Sequence, residues 1–199
     1  MAILSWPTCA FITSVEWTPP DPPTQVNRSE WTGREQVVIL NTAGRWSARV
    51  QMEPKLSGDE ALDLEAFRVE LRGRVNSFRM PAVTKPQFTV AVPLQVNGGG
   101  QTGATLNVKN GGAGRVIKRG HKLTLNEQLF MNMTTVTLDG SGNGTLTLSN
   151  PMRSTPSNSA SIEVVSPTCL VKLADSAAGW TESYPEIFDW GQLQVEETF

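Results

Sequence analysis

The sequence predicts a mainly β protein in two parts: a β-sandwich carrying one packed α-helix, and a small β-barrel or sandwich inserted into it. Three observations lead there. Apolar and polar residues alternate with period two along most of the chain, as strands with one buried face do. One segment, Leu56 to Arg74 (LSGDEALDLEAFRVELRGR), has helical spacing instead. The six tryptophans fall at 6, 17, 31, 46, 180 and 190, so a Trp-bearing beginning and end enclose a Trp-free middle. The expected division is 1–85 together with 176–199 for the helix-bearing sandwich, and 86–175 for the inserted barrel.

Residues 1–17 alternate around Trp6, Phe11, Ile12, Val15 and Trp17 and read as strand. Thr18 to Pro23 (TPPDPP) lacks ladder donors and favours an extended arm that projects or packs on a neighbour. Trp31–Leu40 and Gly44–Met52 read as two strands split by a turn at Asn41-Thr42-Ala43-Gly44. In the helix, Ser57 and Glu60 form a capping box, and Leu56 is placed to staple onto Ala61. Asp59, Glu60, Asp63 and Glu65 crowd its start while Arg68, Arg72 and Arg74 crowd its end, as the helix dipole prefers. Glu70 and Arg74 have i,i+4 spacing. Ala61, Leu64, Phe67 and Leu71 share one face, with Val75 just beyond. A lone amphipathic helix among strands closes the core of a sheet. Val75–Val83 is a further strand, which Pro81 puts at an edge or an end.

From Pro86 the chain turns rich in Gly and Thr. Asn97–Gly103 (NGGGQTG), Asn110–Gly114 (NGGAG) and Asp139–Gly144 (DGSGNG) punctuate short strands at Leu94–Val96, Ala104–Val108, Lys122–Leu125, Leu129–Leu138 and Thr145–Leu148. Pro151–Ser161 reads as a polar loop, and Ile162–Val165 and Cys169–Leu173 as the last barrel strands. The tail ends in an alternating strand, GQLQVEETF.

The bulk numbers set limits. The chain has 199 residues, 39 % of them hydrophobic, and a formal net charge of −2. No overall basic excess points to nucleic acid, and no apolar run is long enough to span a bilayer. The start lacks a basic n-region and is broken by Pro7, so no secretory signal is expected. Cys9 and Cys169 are too few for a disulfide framework. They read as buried free thiols in a protein from a reducing cytoplasm, a single bridge joining the two ends being the alternative.

No catalytic, cofactor or metal site is expected. A single His121 excludes any motif needing two histidines, and nothing in the spacing of Cys9, Cys169 and His121 asks for a metal. There is no GxSxG elbow. NGGGQTG lacks the GK[ST] ending of a phosphate loop. DGSGNG offers Asp139, Ser141 and Asn143 as oxygen ligands and Gly144 as the bend, but Asn150 stands where a calcium loop has its bidentate Glu, so a hairpin turn is expected. Lys118, Arg119, His121 and Lys122 form a basic patch, read as a solvated turn with a phosphate or acidic partner as the alternative. An acidic tail (Glu182, Glu186, Asp189, Glu196, Glu197) offers such a partner surface on another copy. Tryptophan is a frequent interface anchor, and Trp17, Trp31, Trp180 and Trp190 are the expected contact residues.

Phe67–Val83 (FRVELRGRVNSFRMPAV) resembles the L-x-G-R-x-N-x-F-R-hydrophobic-P stretch of small tail-tip proteins of long-tailed bacteriophages. The middle agrees: VNGGGQTGATLNV (Val96–Val108), a Gly120 turn before LTLNEQLF, then VTLDGSGNGTLTLSNPMR (Val136–Arg153). Gly120 is followed by His121 where such proteins often have Asp. The resemblance covers roughly 57–173 and is to the distal tail (Dit-like) proteins of siphovirus-type phages. It implies a non-enzymatic virion protein of the tail tip or baseplate, assembled in the host bacterial cytoplasm into a ring, usually six-fold, that joins the tail tube to the central hub. The implied partners are copies of itself, the tail tube protein and hub or baseplate proteins, with side fibres or host glycan on the outward barrel in some cases. DNA would pass only as cargo through the lumen, and no membrane is implied. The rival readings are a carbohydrate-binding module gripping host polysaccharide and, last, a cell-wall hydrolase working through a carboxylate pair.

Overall fold

The computed structural model describes residues 2–39, 44–56, 58–175, 179–183 and 187–198, and the side chains of residues 55 and 56 are outside the description. These residues form a mainly β protein with one helix. In chain order the first elements are β1 (Ile3–Ser5), β2 (Ile12–Thr18), β3 (Thr24–Arg28), β4 (Glu35–Ile39), β5 (Ser47–Met52), β6 (Lys55–Leu56), α1 (Asp59–Leu71) and β7 (Ser77–Pro81). Short strands follow: β8 (Gln95–Val96), β9 (Thr105–Lys109), β10 (Val116–Ile117), β11 (Lys122–Leu125), β12 (Gln128–Met131), β13 (Val136–Thr137) and β14 (Gly144–Thr147). The last are β15 (Thr168–Leu173), β16 (Thr181–Ser183), β17 (Ile187–Asp189) and β18 (Gln192–Glu197). The chain divides into two compact units, Met1–Thr18 with Trp46–Thr84 and Thr168–Phe199, and Pro19–Arg45 with Lys85–Pro167.

The first unit is built on a six-stranded sheet in the order β1-β7-β15-β18-β5-β2. Only the β1–β7 pair among these is parallel. Register follows from alternation: Met80 faces Cys169, Phe78 faces Val171, Leu173 faces Val195, and Leu193 faces Val50, all buried. A one-residue slip would turn this whole apolar set to solvent. The helix lays Ala61, Leu64, Phe67 and Leu71 inward. Phe67 meets Phe78 edge-on at 5.5 Å, and Trp6 packs on both rings, at 6.1 Å from Phe67 and 5.7 Å from Phe78. A three-stranded sheet, β16-β17-β6, completes the unit.

The helix is shorter than its sequence pattern. It begins after Gly58, which occupies the cap position without a side-chain cap bond. Ser57 of the expected capping box and the Leu56 side chain of the expected staple lie outside the described residues. It ends at Leu71 because Arg72 (φ 48°) and Gly73 (φ 63°) are left-handed, so Arg74 is past the last turn. Arg74 therefore pairs with Glu196 at 3.1 Å instead of forming the expected i,i+4 pair with Glu70. Pro81 is the last residue of β7, an interior strand of the sheet.

In the second unit the short strands close a small barrel. β14-β9-β8 form one antiparallel sheet and β11–β12 another. The segment 160–164 joins β8 to β11, through Val96 N–H to Ala160 O (3.0 Å) and the reciprocal Thr124–Glu163 bonds (2.9 and 3.0 Å). The opposite seam runs from β12 to β14, through Ser149 N–H to Met131 O (2.9 Å) and Met133 N–H to Thr147 O (2.7 Å). Closure leaves few free edges. Val96, Leu106, Val108, Ile117, Leu123, Leu125, Phe130, Leu138, Leu146, Ile162 and Val164 share the interior. The single strand expected over Leu129–Leu138 is two, β12 and β13. Asn132 interrupts it, since its buried Nδ2 donates to the carbonyls of Ile117, Lys118 and Thr134.

Two segments fall on the other side of the expected division. Cys169–Leu173 is a central strand of the six-stranded sheet, paired with β7 and β18, rather than a barrel strand. Its consecutive buried residues Cys169, Leu170 and Val171 suit a strand covered on both faces. Residues 19–45 cluster with the barrel rather than the sandwich. Here β4 pairs with β3, not with the strand after it, while β5 is shared between β2 and β18. Residues 41–43 of the expected turn lie outside the described residues.

Candidate interaction surface

The arm is a two-stranded antiparallel ribbon whose two ends meet at Gly44. A Cβ on Gly44 would come within 2.9 Å of Pro20 C, so only glycine allows the two ends of the arm to meet this closely. Gly44 O accepts a 2.8 Å hydrogen bond from Arg153 Nη2. Beyond the stem, β3 and β4 pair from Thr24↔Ile39 to Arg28↔Glu35, where Arg28 Nε and Glu35 Oε1 lie 3.8 Å apart. The tip is closed by Ser29 N–H to Arg34 O and Gly33 N–H to Ser29 O, both 2.9 Å, with Gly33 at φ 64°.

Every residue from 23 to 39 is exposed. Val26 and Val37 face each other on one side of the ribbon with Ile39 beside them, at 55 %, 60 % and 57 % exposure. Trp31 at the tip is 96 % exposed, flanked in sequence by Glu30 and followed by Arg34. A ribbon of two strands with no covered face is marginal in water and gains stability only when another surface packs against it.

A second apolar feature lies in the other unit, at the C-terminal end of α1. Ala2, Val69, Glu70, Arg72, Val75 and Asn76 line a hollow of about 480 Å³. Among its lining residues Asn76 is fixed by two bonds, its Nδ2 donating to Glu70 O (2.7 Å) and its Oδ1 accepting from Ala2 N–H (2.9 Å). Val69 and Val75 are exposed here, so Val75 lies outside the core face of the helix.

The expected contact tryptophans separate. Trp190 is core: it is 1 % exposed, lies between Phe188 (6.3 Å, stacked) and Trp180 (5.9 Å), and sits below the Arg68 guanidinium. Its indole fills the unit's own interior, so it is no contact residue. Trp17 is half-buried, edge-on to the buried Trp46 at 5.9 Å. Trp180 keeps an exposed edge and Trp31 is almost wholly free of cover. The arm's valines, Ile39, Val69 and Val75 are not among the contact residues the sequence predicts. The signal available was QVVIL, consecutive apolar residues where a half-buried strand would alternate.

The other candidates settle into structural roles. Arg68, expected to serve the helix dipole, is buried and donates from Nη2 to Trp190 O at 2.8 Å; burial lowers its pKa to about 10. Asp139 Oδ1 accepts from Ser141 N–H and Asn143 N–H, both 2.8 Å, and these bonds hold its carboxyl below its ordinary value. Its oxygens thus close a tight turn rather than the expected hairpin, since the strands on either side, β13 and β14, pair with β10 and β9 instead of with each other. Lys118–His121 is also a turn, with His121 N–H bonded to Lys118 O and Gly120 at φ 91°. His121 packs edge-on to Phe88 at 5.1 Å, and burial, then the charge of Lys118, lowers its pKa.

The acidic tail is largely spent within the chain. Glu196 bridges Arg74 (3.1 Å) and Lys172 (3.3 Å), and Glu197 is buried, with Trp46 N–H 3.3 Å from its Oε2. Glu186 lies outside the described residues; Glu182 and Asp189 are exposed. Both cysteines are free thiols, Cys169 buried and Cys9 half-buried rather than buried as expected. Among the described residues no group of three or more His, Cys, Asp or Glu could hold a metal, and no helix is long and apolar enough to cross a membrane. No protein-family model and no curated protein matches the chain.

Proposed function

We propose that this chain is a non-enzymatic structural protein of the tail tip of a long-tailed bacteriophage, of the distal tail (Dit-like) kind. In this reading copies assemble in the host cytoplasm into a ring, six-fold by the resemblance, that joins the tail tube to the hub or baseplate. The observation that carries it is the arm: seventeen consecutive exposed residues, 23 to 39, forming a ribbon with apolar side chains and a bare indole at its tip. Such an element suits a contact with another chain, which would cover its apolar side. The motif order from Phe67 to Arg153 supports the same reading, as does a Gly-rich barrel inserted between β7 and β15.

Negative-stain images of the purified full chain test it. Rings with a central hole support the proposal, and a population of isolated particles with no ring opposes it. A second reading, a carbohydrate-binding module, draws on Trp31, because an uncovered indole is a stacking surface for sugar. Binding of the full chain on a glycan array, abolished by Trp31→Ser without loss of rings, would favour it.

A further inference from the structure

We infer that the arm of one copy docks into the hollow at the end of α1 on the next copy, with Trp31 as the knob. This rests on the ring reading and names the two surfaces that would meet. Knob and hollow are both held by local bonds: the tip is closed by its own backbone, and Asn76 ties two other lining residues of the hollow, Ala2 and Glu70, together. A tryptophan side chain is the largest apolar payload a single residue can bury, and the 480 Å³ hollow offers Val69, Val75 and Ala2 to receive it.

Charge also matches. The tip carries Glu30 and Arg34 on either side of Trp31, and the rim carries Arg72 and Glu70. All four are exposed, so each acid can meet the opposite copy's base. The arm and the hollow are different patches, which makes the contact heterologous. A heterologous contact repeats from copy to copy and closes as a ring when the rotation allows. An isologous dimer would need the same patch on both sides.

The test uses two full-length variants, Trp31→Ser without the knob and Val69→Asp with a charge in the hollow. Both positions are exposed, and a wild-type far-ultraviolet circular dichroism spectrum with a cooperative thermal transition establishes that each variant folds. Masses are read by sedimentation velocity. Each variant alone should lose assembly, with association weakened at least tenfold. An equimolar mixture should form a one-to-one dimer and nothing larger, because only one intact knob–hollow pair is available. Assemblies of wild-type size from either variant, or a mixture that stays monomeric, overturn the inference while leaving the ring reading in place if wild type forms rings. A wild-type chain that stays monomeric throughout overturns the inference and the ring reading together.

Discussion

Arg68 donates a 2.8 Å hydrogen bond to the backbone carbonyl of Trp190, tying the inner face of α1 to the chain just before the C-terminal strand. Arg68 is 7 % exposed and Trp190 is 1 % exposed, so this is a charged donor serving a buried carbonyl. Its guanidinium also lies 6.0 Å from the centre of the Trp190 ring. Two segments far apart in sequence thereby hold the same core.

Replacing Arg68 by methionine keeps the stem and removes the donors. We expect the first unit to lose about 1.5–3 kcal/mol, the range for hydrogen bonds to a charged group. Denaturant unfolding followed by tryptophan fluorescence reads it. A variant as stable as wild type would mean that desolvating the guanidinium costs as much as its bonds return.

Phe78→Ala should cost more. Phe78 is fully buried and touched by both Trp6 and Phe67, so truncation leaves a cavity beneath the helix. A loss of about 3–5 kcal/mol is expected from the same measurement. Trp31→Ser, by contrast, should leave the stability of the isolated chain within about 0.5 kcal/mol, because the indole covers nothing.

Much of this core was legible beforehand. Ala61, Leu64, Phe67 and Leu71 lie on the face that helical spacing assigns them, and alternation places Leu193 and Val195 inward. What could not be read is pairing. β15 breaks alternation with the apolar run Cys169-Leu170-Val171, which marks a strand covered on both faces, but only its long-range partners, β7 and β18, place it in the other unit. The arm was legible as an arm from TPPDPP but not as a ribbon, since TQVNR carries a single apolar residue and no periodic signal. Trp190 was misread for a related reason: composition names an anchor without saying whether it faces a partner or its own core.

Gly142 tests the barrel separately. It adopts φ 75°, and an added Cβ would stand 2.7 Å from Gly112 N. Gly142→Ala should destabilise the second unit by at least about 1–3 kcal/mol through strain and backbone displacement. A thermal unfolding profile should show that loss in the transition of the barrel.

The pH dependence follows from Glu196. Burial alone would raise its carboxyl, but hydrogen bonds from Lys172 and Arg74, with their charges, outweigh this and lower it below 4.5. A group depressed in the fold binds fewer protons there than in the unfolded chain. Its contribution is therefore present above pH 4.5 and lost as pH falls through the folded value. Glu196→Gln should lower the melting temperature near neutral pH and flatten its fall in that acidic window. Parallel curves for variant and wild type would count against the bridge.

The measurement closest to the central claim is the native mass of the purified full chain, taken over rising concentration. A ring-forming chain gives a closed oligomer of one defined copy number, six by the resemblance, appearing without a ladder of larger species. A chain that remains a strict monomer at the highest concentration reached would contradict that claim.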